Sequence, residues 1–265
     1  MFESSSKNNP PIDRFSPQEI MNAGLTIITA HSGCEHTAPN SREHILSAID
    51  SGAEMIEFDI REKDGYFFLS HDIPQLPDKC VPLDEAMRLL QPHEKMKINC
   101  DVKTENLMEE VMKTAARYGM SDRIVFTGAP ANGKLETARG LGADMWHSLF
   151  GRETPEEVEA AIAECRDSGC VSLNLYFKMA DEALHRRLLS AGMGLSVWTV
   201  NEEADLRRML ELGVMNITTT QPRLALRLRK EIQGTPSHPK KFPVQPICGA
   251  LQKAGRTLRS ASLSQ

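Results

Sequence analysis

Two carboxylates two residues apart, Glu57 and Asp59, lie inside the apolar run EMIEFDI. Side chains alternate along a strand, so both point to one face together with Met55. Ile56, Phe58 and Ile60 line the other. Like charges this close repel and are costly to bury. A divalent cation removes both costs, and oxygen donors suit magnesium, calcium or manganese. An edge strand with a solvated acidic face removes them too, so the fragment alone leaves both readings open. Lys63-Asp64-Gly65 then makes a tight turn. The next run, Tyr66 to Ser70, ends on His71-Asp72, so a hairpin can bring an imidazole toward the pair.

Further polar residues recur at the ends of other apolar runs. LTIITA ends on His31, and KINCDVK carries Asp101 and Lys103, again two apart. VSLNLYF offers Asn174 and Tyr176, and LSVWTVN offers Trp198 and Asn201. Three carboxylates, two histidines and a lysine make a metal held by carboxylates, two proton-transfer groups and a cation for an anionic substrate. Phosphate-ester chemistry uses those parts. Zinc fits less well, because the set has no thiolate.

The elements that must position these residues alternate with a regular beat. Strands are expected at 25–30, 54–60, 96–102, 123–127, 143–148, 171–176, 194–200 and 214–219. Helices are expected at 41–51, 83–90, 105–118, 133–140, 155–168, 181–191, 202–212 and 222–232. Caps mark helix starts at Thr154-Pro-Glu-Glu and Asn201-Glu-Glu, and glycines mark ends at 52, 119, 169, 192 and 213. Strand-helix alternation implies a parallel sheet. Eight units match a single-domain (β/α)8 TIM barrel better than an open doubly wound sheet. The run 66–70 is an extra strand hairpinned onto the second. A barrel places its chemistry at the C-terminal strand ends, where the six residues above fall.

The barrel domain is expected to span 16–233. Residues 1–15 read as a flexible leader, and Ser16-Pro17-Gln18-Glu19 has the form of a helix start. Residues 234–265 hold five Lys or Arg and no acidic residue, with much Pro, Gly and Ser. They read as a disordered basic tail, either simply solvated or in contact with anionic lipid or RNA.

The chain of 265 residues is 40% hydrophobic and 25% charged, enough apolar material for a sizeable core. Its net charge of -5 gives no sign of nucleic-acid binding. The six cysteines form no CxxC pair and read as reduced intracellular thiols. The N-terminus lacks an apolar signal core, and no stretch is long and apolar enough to span a membrane. A cytoplasmic protein is expected.

These residues resemble the glycerophosphodiester phosphodiesterases, metal-dependent barrel enzymes, over roughly residues 25–230. The strongest parts are AHSG (30–33), GAEMIEFDI with the following DG and HD (52–72), INCDVK (98–103) and SVWTVN with LGV (196–214). His31 and Gly33 match the family's opening His-Arg-Gly. The resemblance implies that Glu57, Asp59 and Asp101 hold a Mg2+ or Ca2+ ion and that His31 and His71 are the acid/base pair. It further implies that Lys103 contacts the phosphate and that Trp198 is the Trp of the late Trp-Thr-Val-Asn segment. Trp198 then lines the site or packs in the core. The implied reaction converts a small-molecule glycerophosphodiester to an alcohol and sn-glycerol 3-phosphate. Which histidine is the acid, and whether water or a glycerol hydroxyl attacks, stays open.

Several positions depart from the family pattern. Ser32 replaces the phosphate-contacting Arg, and the Pro-Glu-Asn-Thr segment is reduced to Pro39-Asn40-Ser41 without its Glu. Asp101 is one methylene shorter than the usual Glu, and Thr220 replaces an Asp. Only residues 72–95 separate His71 from the third strand, which implies a more open mouth than the family's usual insertion leaves. These departures keep two alternatives in view: a phospholipase-D-like lyase releasing a cyclic phosphate, and a catalytically weak phosphodiester-binding barrel. Of the other histidines, His147 ends the fifth strand, either bordering the pocket or turned away from it, and His36, His44, His93, His185 and His238 are expected at the surface.

Overall fold

The computed structural model describes residues 25–103, 107–128 and 134–234. The leader at 1–15, the helix start at Ser16 and the basic tail from residue 235 onward lie outside the described residues. The strands are β1 (Ile27–Ala30), β2 (Met55–Lys63), β3 (Tyr66–Leu69), β4 (Lys97–Val102), β5 (Ile124–Gly128), β6 (Asp144–Leu149), β7 (Ser172–Tyr176), β8 (Gly194–Trp198) and β9 (Asn216–Thr219). The helices are α1 (Arg42–Ser51), α2 (Leu83–Leu90), α3 (Met108–Arg117), α4 (Lys134–Gly140), α5 (Pro155–Ser168), α6 (Glu182–Ser190), α7 (Glu203–Leu212) and α8 (Pro222–Gln233).

All strands but β3 pair in parallel with their neighbours in chain order. β9 pairs with β1 from Ile27↔Asn216 to Ala30↔Thr219, and β1 pairs with β2 at Thr29↔Met55 and Ala30↔Ile56. The ring therefore closes as an eight-stranded (β/α)8 barrel, the fold expected from the alternation. β3 runs antiparallel to β2 from Ile60↔Leu69 to Lys63↔Tyr66. The hairpin turn places Asp64 and Gly65 at positive φ, 53° and 77°. That is the geometry that favours an Asp-Gly pair in a two-residue turn.

Local signals account for the helix boundaries. The Thr154 hydroxyl accepts from the Glu157 N–H and the Glu157 carboxylate accepts from the Thr154 N–H, a complete capping box. Ser41 caps α1 by accepting from the His44 N–H. Asn201 does not cap α7. Its Oδ1 instead accepts from the Thr220 N–H at 2.9 Å and the Thr219 hydroxyl at 3.3 Å. This ties the end of β8 to the end of β9.

Alternation divides the buried side chains into two environments. Outward residues such as Ile28, Ile56, Phe58, Ile98, Phe126, Leu173 and Ile217 pack against the helices in one large cluster. Inward, Ile27, Met55, Val125, Trp146 and Met215 form a separate small apolar plug. The layer above the plug is polar. Thr29 donates to Asn216, Asn216 to Ser196, Ser196 to Asn174, and Asn174 to Ser148, with separations of 2.6–3.1 Å. Thr127 donates to Asn99 at 2.8 Å. The buried hydroxyls and amides thus satisfy one another around the ring. They form the floor on which the acidic residues of β2 and β4 stand.

Candidate active site

β2 and β4 pair with Glu57↔Asn99 and Asp59↔Asp101 in register. Asp59 and Asp101 therefore sit side by side at the C-terminal mouth, and Glu57 lies one level deeper. One carboxylate oxygen from each of Glu57, Asp59 and Asp101 lies within 4.8 Å of the other two. Glu57 and Asp59 are both only 6% exposed, so the solvated-edge reading of the opening fragment does not hold.

Lys103 leaves β4 and turns its ammonium into this cluster. Nζ is 2.9 Å from Asp59 Oδ1 and 2.5 Å from Asp101 Oδ2. One positive charge thus faces three carboxylates. Burial pushes the Glu57 carboxyl well above the usual carboxylate range, and the charges of Asp59 and Asp101 push the same way. Burial raises Asp101 as well, against the pull of Lys103. Burial opposes the charge on Lys103, but Asp101 and Asp59 outweigh it and hold its pKa above the ordinary value. A cluster of hard oxygen donors with a surplus of buried negative charge is chemically suited to a divalent cation such as Mg2+ or Ca2+.

His31 ends β1 at the rim. Its Nδ1 donates to the Ser32 carbonyl at 3.0 Å, which leaves Nε2 without a proton and facing the site, 3.8 Å from Glu57 Oε2. Burial lowers its pKa, although Asp59 and Asp101 pull the other way. Burial thus favours the neutral imidazole, in the tautomer that the Ser32 carbonyl selects. His71 is placed differently. It follows β3 on an exposed loop, where Nδ1 lies 3.0 Å from Asp72 Oδ1 and its carbonyl accepts from Arg61 Nε at 2.8 Å. The hairpin brings Ser70 level with Asp59, whose carbonyl accepts the Ser70 N–H at 3.0 Å. The His71 ring itself stays exposed on the loop that follows, beside Asp72.

Trp198, at the end of β8, is half-buried at the mouth and donates through Nε1 to the Asn174 carbonyl at 3.3 Å. Phe150 meets it edge-on with centroids 5.8 Å apart, and Tyr176 lies at 6.1 Å. Phe150 is 47% exposed. Its loop is held by Glu153, whose carboxylate accepts the N–H groups of Phe150, Gly151 and Arg152. Trp198 is thus part of an aromatic wall, which Phe150 extends into solvent.

Sequence reasoning missed Asn40. Its amide Nδ2 donates to Asp59 Oδ2 at 2.8 Å, and its Oδ1 accepts the Asp59 N–H at 3.0 Å. The only signal was its place in the Pro39-Asn40-Ser41 remnant. Two histidine expectations need correction, and the open one, His147, is decided. His44 and His185 are buried rather than at the surface, because α1 and α6 turn those faces toward the barrel. His147 alternates with the inward-facing Trp146 and Ser148, so it faces the helices and does not border the pocket.

No family model matches the chain, and no curated protein matches it in sequence. Solved structures match closely in shape. A Silicibacter pomeroyi protein assigned as a glycerophosphoryl diester phosphodiesterase aligns at TM-score 0.71 and 18% identity, over 83% of this chain and 98% of that one. A glycerophosphodiester phosphodiesterase from Parabacteroides distasonis aligns at TM-score 0.65 and 18% identity, over 78% and 98%. An Oleispira antarctica phosphodiesterase in complex with its product sn-glycerol-3-phosphate aligns at TM-score 0.62 and 16% identity, over 77% and 96%. This chain has their fold. The architecture implied by the motif resemblance is the one observed, and at this level of identity the likeness is one of fold. Among the described residues, no helix is long and apolar enough to cross a membrane.

Proposed function

We propose that the protein cleaves glycerophosphodiesters to an alcohol and sn-glycerol 3-phosphate with the help of a divalent cation. One observation carries the reading: Glu57, Asp59, Asp101, Lys103 and His31 converge at the C-terminal mouth of a barrel. The fold is one that solved glycerophosphodiester phosphodiesterases share. Fold alone does not carry function, and this constellation supplies the chemistry.

Glu57, Asp59 and Asp101 would hold Mg2+ or Ca2+. Such a cation, when bound, supplies Lewis-acid neutralisation of charge on a phosphate oxygen. Lys103 donates to another phosphate oxygen and offsets the negative charge that builds during the reaction. His31 accepts a proton at Nε2 from the attacking oxygen, its tautomer set by the Ser32 carbonyl. As the new P–O bond forms, the bond to the leaving alcohol breaks and the alkoxide takes a proton. His71 is assigned that donor role from the loop after β3, on the side of the phosphorus opposite His31. Trp198 and Phe150 form a wall beside the leaving alcohol.

The exposed position of His71 favours a second reading, a barrel that binds a phosphodiester with little turnover. One experiment separates the two. The purified protein is incubated with glycerophosphocholine, glycerophosphoethanolamine or lysophospholipid, each with Mg2+, Ca2+ or EDTA, and products are followed by phosphorus NMR. Cation-dependent appearance of glycerol 3-phosphate, or of its acylated form from lysophospholipid, supports the phosphodiesterase. A persistent cyclic phosphate identifies a lyase, and binding without any product identifies the binding module.

A further inference from the structure

Position 32, where the resembled family carries arginine, is a serine only 6% exposed, and its polar atoms are already committed. The Ser32 N–H donates to Glu57 Oε2 at 3.0 Å, and its Oγ accepts the Asn40 backbone N–H at 2.8 Å. Asn40 is itself buried and holds φ at 55°, in the left-handed region that Asn tolerates better than most residues. That conformation turns its amide back toward β2. There it meets Asp59 with both ends, one on the carboxylate and one on the backbone N–H.

A carboxylate turns easily about its last torsion, so a free Asp presents no fixed oxygen. Asn40 takes Asp59 Oδ2, which leaves Oδ1 aimed at Lys103 and the interior of the cluster. The Ser32 N–H takes Oε2 of Glu57 in the same way. Both contacts are made by neutral donors, so they add no charge that would compete with a cation. We propose that Ser32 and Asn40 form a positioning brace that fixes Asp59 and Glu57 for a divalent cation. This rests on the cation reading above. The serine is therefore a working part of the site rather than a lost arginine. Neither residue touches the reacting atoms in this assignment; both act through the carboxylates.

Partners of this kind are worth about 10- to 100-fold in metal affinity. The test titrates Mn2+ into the purified full chain by calorimetry, comparing wild type, Asn40→Gly, Asn40→Leu, Ser32→Ala and the Ser32→Ala/Asn40→Gly double variant. Glycine keeps the left-handed backbone free of strain while removing the amide, and leucine removes it at similar volume. Melting temperatures in EDTA report folding separately. The brace predicts Mn2+ affinity about 10- to 100-fold weaker in both Asn40 variants. Ser32→Ala has a smaller loss, and the double variant is no worse than Asn40→Gly, because the hydroxyl acts only through Asn40. A lower melting temperature with unchanged Mn2+ affinity overturns the brace and leaves a merely structural role. Additive losses overturn the link through Asn40. No Mn2+ uptake by the wild-type chain overturns the cation reading, and the brace with it.

Discussion

Replacing Lys103 by Met tests the charge balance at the site directly. Met keeps most of the side-chain length and removes the ammonium. In the native cluster that ammonium lies 2.9 Å from Asp59, whose side chain is 8% exposed, and 2.5 Å from Asp101, at 28%. Removing one partner of a buried ion pair costs about 3–5 kcal/mol, because the remaining charge is left uncompensated. Solvent reaches Asp101, so the lower end applies, about 3 kcal/mol. A domain of this size loses about 2–4 °C of melting temperature per kcal/mol, so a fall of about 6–12 °C is expected in EDTA. Saturating Mg2+ or Ca2+ should restore much of it. A ligand at 100 times its Kd stabilises by about 2.7 kcal/mol, and Lys103 no longer competes with it. The cation-induced rise should therefore be larger in Lys103→Met than in wild type, while turnover is lost because the phosphate contact is gone. The assay is thermal unfolding followed by fluorescence, with and without cation. An equal deficit in EDTA and in cation, or no deficit in EDTA, would refute the reasoning that these carboxylates need a positive charge among them.

Three further outcomes are expected. His31→Asn should lower kcat by about 10²- to 10⁴-fold in the phosphorus NMR assay while Mn2+ affinity by calorimetry stays near wild type; a matching loss of affinity would make His31 a ligand instead of a base. Burial lowers His44 and His147 from 6.5 to about 4, so the folded state refuses a proton that the unfolded chain accepts below pH 6.5. The stability is thus fully present above about pH 6.5 and is lost toward pH 4, by about 3 kcal/mol per histidine, and His44→Leu should flatten that acid limb in urea unfolding. Trp198→Ala should raise KM for lysophospholipid by about 3- to 10-fold with a smaller change in kcat; an unchanged KM would place Trp198 in the core only.

Much of this arrangement was legible because its signals are local. The Thr154 box, the positive φ of Gly52, Gly169 and Gly213, and the Asp64-Gly65 turn each act within a few residues of sequence. The period of two in EMIEFDI put Glu57 and Asp59 on one face without reference to the rest of the chain. The features that were not legible depend on contacts between segments. Asn40 matters because its segment folds against β2, 19 residues away, in a conformation that its letters do not announce. His71 reads as a site residue because it ends a hairpin strand, but past the Ser70–Asp59 bond its backbone is held by the Arg61 side chain of β2, a contact the local pattern does not show, and its ring is left exposed. His44 shares the inward side of α1 with Ile45 and Ala48, a pattern the sequence did hold but one that a polar letter obscures.

The site itself hangs on one such long-range fact, the register of β4 against β2. Asp101 opposes Asp59, so Cys100 and Val102 point to the helices while Asp101 points into the mouth. A slip of one residue would reverse every one of these directions. It would place the carboxylate of Asp101 in the apolar layer that Cys100 now occupies, fully buried against the helices, and a lone carboxylate there would cost several kcal/mol. It would also put Ile98, which packs with Ile56 and Phe58, among the polar residues of the floor. The apolar face thus enforces the register, and the register gathers the carboxylates. The packing that stabilises the barrel and the chemistry at its mouth are set by the same alternation.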